Sequence, residues 1–312
     1  MSNSIEERLK KIPIVCSLVN FSQRIKLPGL EGLSLYDLLE LYTLGIVRGT
    51  LTTRASAIAF SFFTAIFPFL LFVIILIPII PIEGFQEQFL EFLQSFLPPQ
   101  TSGFFMDTIF ENLEGNNKQA GLLSSVFLLS IFLMANGVNA VFSGFENSYH
   151  EQLTRNVFQQ YLYAVGVALI LAMLVLLTVA VFIYTQVYII TPINEAINAE
   201  DAASKQLITA AKYVFFVIMI YIGTATLYYF GTKEGRQTRF FSIGAVLTTL
   251  LIILTSFLFG IYIDNFSKYN ELYGSIGALL ILLLYLWLNA NILLLGYELN
   301  ATLRGLHKLN SK

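Results

Sequence analysis

AIAFSFFTAIFPFLLFVIILIPIIPI, residues 57–82, carries no charged side chain. Arg54 and Glu83 bracket it and leave 28 uncharged residues between them. A helix crossing the hydrocarbon core of a bilayer needs about 20 apolar residues, so this run is long enough to cross. Five more runs follow along the chain. Lys118 to Glu146 encloses 27 uncharged residues, Arg155 to Glu195 encloses 39, and Lys212 to Lys233 encloses 20. Arg239 to Asp264 encloses 24 and Glu271 to Glu298 encloses 26. The runs are continuously apolar, without the period-2 alternation of barrel strands, so helices are expected. The longest run would make a helix of about 58 Å, too long for one crossing. It is also short for two crossings and a turn, and its middle, LILAMLVLLTVAVF, holds no turn signal. One long helix ended by Thr191-Pro192 is the reading.

The expected architecture is therefore all-α: a polytopic membrane protein with six transmembrane helices and amphipathic interfacial helices. The spans are read at about residues 55–82, 120–144, 160–190, 210–231, 240–263 and 272–298. A cytoplasmic N-terminal segment, 1–33, precedes the membrane domain, 34–305, and a short cytoplasmic tail, 306–312, follows it. Composition agrees. Of 312 residues, 56% are hydrophobic and 12% charged, against about 25% charged in soluble domains, and the mean hydropathy is +0.71. The single cysteine, Cys16, excludes an intramolecular disulfide and a CxxC site. No cleavable signal peptide is expected, because Glu6, Glu7, Arg8, Lys10 and Lys11 interrupt the first residues and no long apolar run follows them.

Sidedness follows from the basic residues. Fourteen of the 18 lie before the first span, in the second and fourth connections, or after the sixth span. The other connections hold Lys118, Lys205, Lys212 and Lys268. The positive-inside rule puts the larger group, and with it both termini, on the cytoplasmic side. Two segments read as lying on the membrane. In Ser34–Val47, Leu35, Leu38, Leu39, Tyr42 and Ile46 share a helical face. Residues 85–113 hold two amphipathic pieces broken at Pro98-Pro99, and form either a lid or lipid-contacting collar, or a packed external cap with no gating role.

Polar groups inside a bilayer usually face protein or water. In span 1, Arg54, Ser61, Thr64 and Pro68 fall on one stripe; in span 2, Ser125, Asn136, Asn139 and Ser143 do so. Gly244, Thr248 and Thr255 align in span 5. Asn291 and Glu298 share one face of span 6, and Asn289 and Asn300 the opposite one. Two readings stand. The stripes line a water-filled cavity, or they hold helix to helix. Pro68 removes a backbone donor in mid-span and is expected to kink it. The candidate cavity-lining residues are Arg54, Ser61, Thr64, Pro68, Asn136, Asn139, Ser143, Asn291 and Glu298. No catalytic, cofactor or metal set is visible: His150 and His307 lie apart, and HExxH, GxSxG, P-loop and GxGxxG patterns are absent. GTKEGRQTR, after span 4, reads as a basic loop.

Three stretches resemble the YihY/virulence factor BrkB family of bacterial inner-membrane proteins. They are RASAIAFSFFTAIFPFLL (54–71), NAVFSGFENSYHEQLTR (139–155) and YNELYGSIGALLILLLYLWLNANILLLGYELNATL (269–303). The last carries a Tyr-x-x-x-Tyr-Gly entry and a Leu-Leu-Gly-x-Glu-Leu-Asn close. Gly231-Thr232 departs from the family pattern, where a proline is expected. The resemblance implies six spans and the inner membrane. It also brings the label ribonuclease BN, which the residues do not support, since they offer no His/Asp metal cluster and no nuclease-sized domain. The functional expectation is a transporter or flippase-like protein for an amphipathic or anionic solute, with a polar cavity bounded by spans 1, 2 and 6. A structural or assembly role in the envelope is the alternative, and an enzyme is the weakest reading. Its expected partners are the lipid bilayer and an unidentified solute or lipid, with no nucleic acid and no cofactor; the oligomeric state is left open.

Overall fold

The computed structural model describes Tyr36 and residues 50–76, 120–146, 156–185, 202–233, 235, 239–265 and 275–310. They form α1 (Thr50–Leu76), α2 (Ala120–Glu146), α3 (Val157–Thr185), α4 (Ala202–Gly231), α5 (Ile243–Asn265) and α6 (Ser275–Asn310). There is no strand among the described residues. All six helices are long and apolar enough to cross a membrane. The shortest, α5 with 23 residues, spans about 35 Å, more than the roughly 30 Å of hydrocarbon. The chain is thus an all-α polytopic membrane protein.

The ends of the helices follow local chemistry. Asn156 stands just before α3, and its carbonyl accepts the first helical bond from the Gln160 amide at 2.9 Å. Ser242 caps α5: its hydroxyl accepts the Ala245 amide at 3.3 Å and its carbonyl the Val246 amide at 3.3 Å. Neither Pro nor an unfavourable run interrupts α6 after Glu298, so it continues past the expected end at 298 to Asn310. Helix α1 runs through Pro68. Its expected last turns, 77–82, both amphipathic segments (34–47, apart from Tyr36, and 85–113) and the end of span 3 lie outside the described residues.

Consecutive helices pack side by side, and α6 closes the ring against α1. Direction alternates. Arg54 near the start of α1 meets the last turns of α2 and the second half of α6. Gln160 in the first turn of α3 reaches Ser143, and Gly244 in the first turn of α5 reaches Asn300. These contacts lie at one end of the bundle. Arg54, Lys233, Arg239 and Arg304 are there too, so we call it the basic end.

Packing is uneven along the bundle. On α6, residues 290–294 and 296–301 are buried. On α4 the buried run is Thr224–Tyr228, and on α5 it is Gly244, Ala245, Thr248 and Thr249, with no described residue beyond Thr249 buried. The basic half is close-packed, and α4 and α5 loosen away from it. Their outer faces carry exposed apolar side chains such as Val214 and Ile218 of α4 and Leu250 and Phe257 of α5, the surface that hydrocarbon rather than water would cover.

Candidate functional site

Polar side chains from α1, α4, α5 and α6, with a backbone carbonyl of α2, form a layer across the basic end. Arg54 donates from Nη1 to the Gly144 carbonyl at 2.9 Å and from Nη2 to Glu298 Oε1 at 3.1 Å. Only 12% of the arginine side chain and 9% of the glutamate side chain is accessible. Two charges so shielded persist only because they answer each other and carry further hydrogen bonds. Helices α1, α2 and α6 are tied by this one guanidinium.

A second knot joins α4, α5 and α6. The Tyr228 hydroxyl donates to the Leu293 carbonyl at 2.7 Å. That leaves its oxygen to accept from Thr248 Oγ1 at 2.5 Å. Gly244 and Gly296 make room for it, because a Cβ on Gly296 would strike the Thr248 and Tyr228 hydroxyls. Nearby, Asn300 accepts the Gly244 amide at 2.9 Å and donates to Ser242 Oγ at 2.9 Å. The Phe145 and Tyr297 rings stack 4.3 Å apart, and Tyr297 donates to Thr232 Oγ1 at 3.0 Å. The layer ties the helices together at this end through paired polar groups and aromatic faces.

Between α1, α2, α3 and α6 lies an open cleft of about 280 Å³. Helix α1 contributes Phe62, Ala65, Ile66 and Phe69, and α2 contributes Met134 and Val138. Ala168, Leu171, Ala172 and Val175 of α3 and Leu286 of α6 complete the wall. Every one of these side chains is apolar. The space exists because α3 presents small residues, Ala164, Ala168 and Ala172, one turn apart on its buried face.

The cleft differs from the expected cavity in two ways: its wall is apolar, and it takes in α3. None of the residues expected to line a cavity lines this cleft. Arg54 and Glu298 come together, but in the polar layer at the basic end. Thr64 is exposed, and its hydroxyl donates to the Ser61 carbonyl at 3.0 Å. Pro68 and Asn139 are half-buried, and Asn136 is exposed. Ser143 accepts from Gln160 Nε2 at 3.1 Å. Asn291 is buried and donates to the Trp287 carbonyl at 2.8 Å. The reason is register: successive residues turn by about 100° around a helix axis. The stripe Ser61, Thr64, Pro68 therefore sits beside Phe62, Ala65, Phe69, on the outer flank of α1. Polarity pointed to Arg54, Glu298, Thr248 and Asn300. It did not single out Tyr228 or Tyr297, which read as ordinary aromatics at span ends, nor the alanines, whose only signal is their four-residue spacing.

A ring of six apolar helices, tied by polar contacts at one end and indented by an apolar cleft, defines a multi-pass α-helical membrane protein. The sequence model of the family described as Virulence factor BrkB matches residues 45–311. The chain belongs to that family. Among its relatives is a Bacillus subtilis protein named as ribonuclease-like, YfkH, 26% identical over 259 residues, which are 82% of this chain and 91% of that one. An Acinetobacter baylyi UPF0761 membrane protein is 23% identical over 263 residues, 81% of this chain and 59% of its own. A UPF0761 membrane protein of Psychrobacter is 34% identical over 92 residues, 30% of this chain and 17% of its own. No solved structure matches the chain significantly.

Proposed function

We propose that this protein carries or flips an amphipathic, lipid-like solute, whose apolar part occupies the cleft between α1, α2, α3 and α6. The observation that carries the reading is the cleft itself. Apolar voids of about 150 Å³ hold benzene, and small-molecule pockets begin near 300 Å³. About 280 Å³ suits a length of acyl chain rather than a hydrated ion. The apolar wall favours the amphipathic over the purely anionic solute, because Arg54, a largely shielded basic side chain, is already engaged by Glu298. The same engagement argues against a nuclease, since Glu298 is the acid buried among the described residues. The sorting of basic residues supports an inner-membrane location with both termini in the cytoplasm.

The test is movement of a fluorescent phospholipid in proteoliposomes holding the full chain. Ala172 is 2% exposed and lines the cavity. Ala172→Phe should fill much of the space and lower the rate about tenfold, while Ala168→Leu gives a smaller loss should the larger ring misfold the protein. Wild-type rates equal to those of protein-free vesicles would end the proposal.

One observation favours a second reading, a static scaffold of the envelope. Hydroxyls between helices are paired to one another, as in Tyr228–Thr248 and Ser256–Tyr285, which is the behaviour of internal glue. Such a protein would move no lipid and would purify with a fixed partner.

A further inference from the structure

Asn136 sits at the midpoint of the membrane-crossing part of α2, Ser125–Glu146. Its side chain is exposed, on a face with Leu129, Phe132 and Leu133, which are 55%, 56% and 39% exposed. At that depth hydrocarbon is the only solvent, and an amide with two donors and an acceptor finds nothing there to bond. Neither end of the span is close enough for a short Asn side chain to reach an interface.

The usual escape is a bond back to the carbonyl four residues earlier. Here that carbonyl belongs to Phe132, and it is taken. It receives the helical amide of Asn136 itself and the Tyr161 hydroxyl at 2.6 Å. The Phe132 and Tyr161 rings also touch, 4.8 Å apart, so the hydroxyl is held in place. Both lone pairs are spent before the Asn136 side chain arrives.

We propose that α2 docks against a second copy of this chain, with Asn136 bonding Asn136 of that copy across a two-fold axis. Two requirements select this occupant. The partner must offer a donor and an acceptor together, and must offer them at mid-bilayer. An amide is its own complement, and another copy inserted in the same sense presents one at the same depth. An isologous contact brings a residue against itself on the axis. Lipid tails meet neither requirement. The apolar neighbours on the face would then pack against their own counterparts. This inference does not depend on the transport reading.

The experiment counts subunits of the full chain in lipid bilayers by single-molecule photobleaching across protein densities. Wild type should be dimeric. Asn136→Leu should raise the dissociation constant about tenfold, the effect of losing two interhelical amide bonds, with an unchanged unfolding temperature. Asn136→Cys, placed in a Cys16→Ser background because Cys16 is the single cysteine, should cross-link to a dimer on mild oxidation in membranes. A wild type that stays monomeric at every density overturns the proposal. So does an Asn136→Leu variant that dimerises as tightly as wild type, or one that loses thermal stability as a monomer, because the amide would then be used within its own chain.

Discussion

Arg54 shows what a single residue does at the basic end. It holds Gly144 and Glu298 at once, at 2.9 and 3.1 Å, and both members of the ion pair are largely shielded. Removing one partner strands the other charge, which costs about 3–5 kcal/mol, whereas removing both together is close to neutral when the replacements pack well. Arg54→Met should therefore lower unfolding stability by about 3 kcal/mol. Arg54→Met with Glu298→Met should recover most of that loss. Thermal unfolding in detergent of the two single variants and the double variant checks this. A double variant as weak as the sum of the singles would show that the two side chains act separately.

Among the helices, α5 and α6 approach each other closely at Gly244 and Gly296. A Cβ on Gly296 would lie 2.5 Å from the Tyr228 hydroxyl oxygen and 2.7 Å from the Gly244 carbonyl, besides colliding with Thr248. Gly296→Ala should destabilise the protein by about 3 kcal/mol, the upper range for overpacking. Gly166 in α3 has nothing within 4 Å of the same position, so Gly166→Ala should leave stability unchanged or slightly raised. The pair, measured side by side, separates a packing effect from a glycine effect. At this scale the sequence was easy to read in one respect and opaque in another. Uncharged runs as long as Arg54–Glu83 fix where helices cross, because charge in hydrocarbon is costly. Which face of α1 or α2 looks inward is another matter. The rule that polar groups turn inward would send Asn136 to the cavity, yet it faces out. The cavity wall is built from Ala, Val, Leu, Met and Phe, the same types that face lipid elsewhere. Composition cannot tell the two surfaces apart, and only the packing of neighbouring helices does so.

For the whole molecule, the ring divides into a basic half closed by hydrogen bonds and a looser half around an apolar space. The proposed carriage would place a lipid-like solute in that apolar cleft, beside the end tied by hydrogen bonds. The single tryptophan gives a direct probe. Trp287 follows Leu286, a cavity residue, and packs against the core. Fluorescence of the purified chain should be measured with a single-chain amphiphile brominated on its acyl chain. Saturable quenching of Trp287 is expected in wild type, with at least a fivefold weaker response in Ala172→Phe, whose ring occupies the same space. Quenching that rises without saturation and is identical in the two proteins would contradict it, because the bromine would then reach Trp287 from the surrounding lipid and not from within the bundle.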